Sequence, residues 1–214
     1  MKKIRVVESV LKANDANADA NRARLDEAGV VCLNLMSAPG SGKTTLLQKT
    51  IPALAPVACG VLVGDLQTTR DAERLSEATS DVVQINTGRG CHLSAAQVSN
   101  GLDELDLAKL DLLFIENVGN MVCPASFDLG EHFRVALLSV PEGADKVAKY
   151  PTLYSNANAI LLTKTDLVDI LGLDTDLVKS DLARINTAAP LIECSPQTGE
   201  GLDSWHDWLR GLCS

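Results

Sequence analysis

Residues 37–45 read Ser37-Ala38-Pro39-Gly40-Ser41-Gly42-Lys43-Thr44-Thr45 and follow directly on the apolar run Val30–Met36. A strand that runs into a glycine-rich turn, with Lys-Thr opening the next helix, is the Walker A arrangement. Gly40 and Gly42 permit a backbone that wraps phosphates. The N–H groups of the loop, Ser41 to Thr45 among them, point at the anion together with the helix N-terminus. Lys43 reaches the β- and γ-phosphates, and the Thr44 hydroxyl is a magnesium ligand. The fit runs back from Gly42-Lys43-Thr44; Ser37 stands where the pattern usually has its first glycine.

The rest of the chain keeps the rhythm that such a loop requires. Strands are expected at Val30–Met36, Val57–Val63, Val82–Ile85, Leu112–Ile115, Val135–Val140, Ala159–Thr163 and Leu191–Cys194. They are apolar on both faces, as in a parallel sheet buried between helices. Helical spacing appears between them, in Leu177, Val178, Leu182 and Ile185 and in Leu202, Trp205, Leu209 and Leu212. The fold class is therefore α/β: a P-loop NTPase with a mostly parallel, doubly wound sheet flanked by helices and its ligand at the strands' carboxyl ends. Residues 1–28 stand apart as an N-terminal helical extension, with Val6, Val7, Val10 and Leu11 at helical spacing; residues 29–214 form the nucleotide domain.

Leu161-Leu162-Thr163-Lys164-Thr165-Asp166 resembles the guanine-specifying Asn-Lys-x-Asp motif of GTPases. The Asp166 carboxylate accepts from guanine N1–H and its exocyclic amine, a donor pair that adenine lacks. Lys164 lies along the base plane. Cys194-Ser195-Pro196-Gln197-Thr198-Gly199-Glu200-Gly201 resembles the loop that cups guanine from the other side. Thr163 replaces the usual Asn, and Gln197 a common Lys. Two acidic strand ends, Asp65 and Glu116, are expected to hold magnesium with Thr44. Glu116-Asn117-Val118-Gly119 reads as a variant switch motif in which the Gly119 N–H senses the γ-phosphate.

Charge excludes other classes. Nineteen Lys and Arg against 28 Asp and Glu give a net charge of −9, which disfavours nucleic acid and anionic membrane surfaces as partners. Three Phe, two Trp and two Tyr are too few for a base-stacking platform. Six cysteines in 214 residues are too sparse for a disulfide scaffold. Met1-Lys2-Lys3-Ile4 meets Arg5, Glu8 and Lys12 without an apolar stretch, so the sequence predicts a cytoplasmic protein with reduced thiols.

Cys91-His92 opens a helical segment after the third strand, and Cys123 lies four residues beyond Gly119. Both fall in loops on the nucleotide face, unlike Cys32 and Cys59, which read as strand packing. Thiolate and imidazole suit zinc, nickel or copper(I). The residues alone leave this reading open beside that of inert buried thiols.

Four stretches together resemble the HypB family of hydrogenase nickel-incorporation GTPases: residues 34–45, Gly64-Asp65-Leu66-Gln67-Thr68-Thr69-Arg70-Asp71-Ala72-Glu73-Arg74, Gly90-Cys91-His92-Leu93 and Glu116–Pro124. Glu142-Gly143-Ala144-Asp145-Lys146 with Lys149-Tyr150-Pro151 also fits. The resemblance covers nearly the whole chain. It implies a metallochaperone GTPase of the signal-recognition-like branch that binds GTP and GDP with magnesium, dimerises with GTP and loads nickel into [NiFe]-hydrogenase. A HypA-type nickel chaperone and the hydrogenase large subunit are the implied partners. Cys91, His92 and Cys123 would bind nickel or zinc at the dimer interface, and Lys146 would reach the partner subunit's nucleotide. The N-terminal sequence carries neither a cysteine-rich nor a histidine-rich motif, so no separate storage site is expected.

A coupling follows: GTP draws Gly119 in, Cys123 moves with it, and its distance from Cys91 and His92 changes, linking metal affinity, dimerisation and nucleotide state. Asn120 stands where some GTPases have a water-positioning Gln, so slow intrinsic hydrolysis is expected. Competing readings are a urease-type nickel GTPase, a plain regulatory GTPase switch without metal, and a P-loop kinase.

Overall fold

The computed structural model describes residues 6–65, 69–88 and 90–213, with the side chains of residues 6–10 left aside. Leu66, Gln67 and Thr68 of the second family-like stretch, and Arg89 before Cys91, lie outside the described residues. In chain order the first elements are α1 (Val6–Ala28), β1 (Val31–Ser37), α2 (Lys43–Ala53), β2 (Cys59–Asp65), α3 (Arg70–Leu75), β3 (Val82–Asn86), α4 (Ala95–Asp103) and β4 (Leu112–Glu116). After β5 (Phe133–Ser139) come α5 (Lys146–Lys149), α6 (Pro151–Ser155), β6 (Ala159–Thr163), α7 (Val168–Leu171), α8 (Thr175–Ile185), β7 (Leu191–Cys194) and α9 (Leu202–Leu212).

The seven strands form one sheet in the order β3-β2-β4-β1-β5-β6-β7, every pair parallel. β1 thus emerges mid-sheet, between β4 and β5, and delivers the Gly40–Thr45 loop at the carboxyl edge. All seven expected strands exist; the first is shifted by one residue, and two others are displaced further. The second begins at Cys59, because Val57 and Ala58 belong to the turn after α2. The fifth runs from Phe133 to Ser139 because Val140 opens a 3-10 turn with Pro141, which cannot donate to a ladder.

Helices cover both faces. On one, Leu33, Leu35, Val61, Val63 and Phe114 pack with Leu46, Leu47 and Ile51 of α2 and Leu202, Trp205 and Leu209 of α9. Cys59 and Cys194 are buried on this face. On the other, Cys32, Leu62, Leu113 and Ile115 meet Leu25 of α1 and Val98 and Leu102 of α4, while Leu138, Ile160 and Leu162 meet Tyr154 of α6 and Val178 and Leu182 of α8. Each fully buried Leu or Ile contributes about 1.5–3 kcal/mol. That explains strands apolar on both sides.

Of the apolar stripe expected on α1, only Leu11 falls among the described side chains. Leu11 is half-buried, and Val6, Val7 and Val10 lie outside the described side chains. The buried face is Asn14, Ala18, Asn21 and Leu25, spaced as one side of a helix. Half of that face is polar, which a hydrophobicity reading passes over. Among the described residues, no helix is long and apolar enough to cross a membrane.

Candidate nucleotide and metal site

The loop after β1 turns through two left-handed glycines, Gly40 (φ 75°) and Gly42 (φ 97°). Gly42 is the N-cap of α2 and offers no side chain to the helix, so the first-turn N–H groups remain open to an anion. Lys43 is buried and its Nζ donates to Ser37 Oγ at 2.9 Å. The departure at Ser37 therefore supplies a partner for the ammonium. Burial pulls the Lys43 pKa down, against the charge of Glu116.

Thr44 Oγ1 donates to Glu116 Oε1 at 2.7 Å. Glu116 ends β4, with Leu35 of β1 and Val63 of β2 in register on either side. Its other oxygen, Oε2, is buried without a hydrogen-bond partner. Burial pushes this carboxyl up to about 7, against the pull of Lys43 and the Thr44 hydroxyl. A hydroxyl beside a carboxylate with an unsatisfied oxygen suits a hard divalent cation. Asp65, at the end of β2, lines the same cavity of about 440 Å³ with Pro39, Gly40, Lys43, Thr44 and Gly119.

A second hollow of about 240 Å³ adjoins it and shares Gly42, Thr45 and Lys164 as walls. Asp166, Pro196 and Gln197 line it. Lys164 adopts φ 60°, and among the described residues no other non-glycine has positive φ; its Nζ donates to Gly40 O at 2.7 Å. Ser195 Oγ donates to Asp166 Oδ1 and holds the carboxylate in place. Thr163 Oγ1 donates to Ser41 O at 2.7 Å. One hydroxyl thus ties the base motif to the phosphate loop. Ser41 is fully buried and faces away from the phosphate cavity, with Oγ donating to Glu142 Oε1 at 2.7 Å.

The Cys-His pair and the switch cysteine meet. Cys91 Sγ and Cys123 Sγ are 3.2 Å apart, His92 Nδ1 is 3.6 Å from Cys91 Sγ, and all three ligand atoms lie within 4.8 Å of one another. Phe127 braces the imidazole at a ring-centre distance of 4.1 Å. Burial lowers the His92 pKa, which favours the neutral, ligating ring. Contact with the Cys91 thiol raises Cys123, so a metal must displace protons to bind. Lys146 is not in the phosphate cavity of its own chain. It lines a separate hollow beyond the switch, with Pro39, Gly119, Asn120, Val122 and Glu142.

The profile of the family described as "CobW/HypB/UreG, nucleotide-binding domain" matches residues 31–193. The hydrogenase maturation factor HypB of Azotobacter vinelandii is 46% identical over 210 residues, covering 97% of this chain and 69% of that protein. This chain belongs to the HypB family. The crystal structure of HypB from Helicobacter pylori in complex with nickel superposes with a TM-score of 0.90 at 40% identity, over 94% of this chain and 95% of that one. FtsY of Mycoplasma mycoides, at 17% identity and a TM-score of 0.51 over 76% of this chain and 59% of its own, shares the fold alone.

In this HypB-family chain, several site residues escape a motif reading. Asp71 and Arg74 of α3 line the phosphate cavity, and Arg74 donates to Thr45 Oγ1 at 3.1 Å. Their spacing on a short helix after β2 was the available signal. Asn120 Nδ2 donates to Cys91 O at 3.3 Å, while Asn120 Oδ1 accepts from Val122 N at 2.8 Å and Cys123 N at 3.4 Å. No local pattern marks that role.

Proposed function

We propose that this chain is a GTP-hydrolysing nickel metallochaperone for [NiFe]-hydrogenase maturation, working in the cytoplasm. The observation that carries the reading is the Cys91–His92–Cys123 cluster at the end of the loop that begins at Gly119. The names of the relatives, hydrogenase maturation factors, and the nickel-bound Helicobacter pylori structure support it.

In this reading GTP lies along the two adjoining hollows. Gly40–Thr45 cradle the phosphates, and Lys43 exchanges its bond with Ser37 for the β- and γ-phosphates. Asp166 reads guanine, with Lys164, Ser195, Pro196 and Gln197 forming the walls. Thr44, Glu116 and Asp65 would hold magnesium, which supplies neutralisation of phosphate charge when bound. Gly119 already lies against the phosphate loop: a Cβ there would stand 2.7 Å from Pro39 Cα. Movement of Gly119 towards a γ-phosphate therefore works against Pro39 and is passed along the loop to Cys123.

Nickel or zinc is the cargo. Three ligands leave a position for water or for an acceptor's donor atom, which suits receipt from a HypA-type chaperone and delivery to the hydrogenase large subunit. Lys146, outside its own cavity, reaches the nucleotide of the other subunit in a GTP-dependent homodimer. Asn120 holds the metal loop rather than a water, so intrinsic hydrolysis is slow. Nickel titration followed by thiolate-to-metal absorption tests the reading. Binding that disappears in Cys91→Ala is expected, and identical binding by wild type and Cys91→Ala refutes it.

A further inference from the structure

The two segments that carry the metal ligands are joined at their far ends by the N-terminal helix. Asn14 Oδ1 accepts from Ala95 N at 2.9 Å, and Asn14 Nδ2 donates to Asp128 O at 2.7 Å. One turn pair further on, Asn21 Nδ2 donates to Ala95 O at 2.8 Å and to Leu129 O at 3.0 Å. Ala95 lies three residues after His92, and Asp128 five after Cys123. Two buried amides on one face of α1 therefore hold the backbone of both ligand-bearing segments at once.

The contact is close on the loop side. Arg22 pairs with the Asp128 carboxylate at 2.6 Å and donates to Glu131 O. A Cβ on Gly130 (φ +93°) would lie 2.6 Å from both Ala18 O and Asn21 Cβ, so only glycine lets the loop press onto the helix. The segment bearing Cys123 is thus pinned at Gly119 by the phosphate loop and at Asp128–Gly130 by α1. Only residues 120–127 are left between the two anchors. The segment bearing Cys91 and His92 is pinned at Ala95 by the same two amides.

We propose that α1 is a clasp for the metal site, with Asn14 and Asn21 as positioning residues that set the distance between the Cys91–His92 pair and Cys123. A lever needs a fixed end: displacement at Gly119 alters the Cys91–Cys123 distance because the other ends of both segments cannot follow. The consequence for metal rests on the reading of this cluster as the cargo site; the consequence for thiol spacing does not.

The test uses the full chain in a Cys213→Ser background and compares Asn14→Asp, Asn21→Ala and the same-helix control Asn17→Ala. Asn17 is exposed, and its amide bonds only Ala13 O one turn back. Three affinities are measured: nickel, GDP, and phenylarsine oxide in competition with a small dithiol. The arsenical forms two As–S bonds with paired thiols and releases water, so it reports thiol spacing without nickel. Asn14→Asp and Asn21→Ala should weaken the arsenical and nickel about tenfold, as loss of a supporting hydrogen bond does at metal sites. GDP affinity should stay within about twofold, and Asn17→Ala should change nothing beyond that. Unchanged arsenical affinity in both clasp variants overturns the proposal, as does an equal fall in arsenical and GDP affinity. If the arsenical effect appears while wild-type nickel binding does not exceed that of Cys91→Ala, the clasp stands and the cargo reading falls.

Discussion

Asn117 Oδ1 accepts from the backbone N–H of Leu93 at 3.2 Å as well as from that of Val118 at 2.9 Å. One buried amide is therefore shared between the switch and the residue next to His92. Its Nδ2 donates to Asn34 Oδ1 at 3.1 Å in the middle of β1. Asn117→Ala leaves two N–H groups and one carbonyl oxygen short of partners in the core. Each unsatisfied buried group costs about 1–3 kcal/mol, so a loss of about 3 kcal/mol or more in denaturant melts is expected.

In the proposed reading, guanine recognition rests on an oriented carboxylate. Asp166→Asn replaces an acceptor with an amide that cannot serve both guanine donors. Fluorescent-GDP titration should show affinity falling about 100-fold. Thr163→Val removes the donor to Ser41 O while leaving every group that touches the base, and a loss of about tenfold is expected.

The metal cluster should be selective among the six cysteines. Cys91→Ala removes one of the three proposed ligands and should abolish the nickel absorption. Cys59→Ala, on the α2 face of the sheet, should leave nickel absorption unchanged, because burial pushes that thiol up to about 12 and, among the described residues, it belongs to no cluster of three ligand groups.

One buried histidine gives stability a pH dependence. His206 of α9 is buried with Nε2 unpartnered, and burial, then Arg210, lowers its pKa. Below about pH 6.5 the unfolded chain takes up this proton more readily than the folded one. This residue therefore makes stability fall as pH drops through that range. His206→Gln should flatten the decline in thermal melts between about pH 7 and 5.

The fold was largely legible because strands buried on both faces must be apolar throughout, and because Gly40, Gly42 and Lys43 have few alternatives after a strand. Cys91, His92 and Cys123 were legible as chemistry, and the fold brings them together. The asparagines were not. Asn14, Asn21, Asn117 and Asn120 act through hydrogen bonds to residues 24 to 114 positions away, and their sequence neighbours carry no trace of those partners. Thr163 departs from its motif, and the partner of its hydroxyl, Ser41 O, lies 122 positions away, equally unmarked by its sequence neighbours.

The coupling of nucleotide state to metal is tested most directly by nickel affinity, measured with GDP and with a non-hydrolysable GTP analogue plus magnesium, in wild type and in Cys123→Ala. Wild type should differ between the two nucleotides by about fivefold or more, in the range of ordinary coupling energies, and Cys123→Ala should show no difference. Equal nickel affinities in the two nucleotide states of wild type would contradict the account.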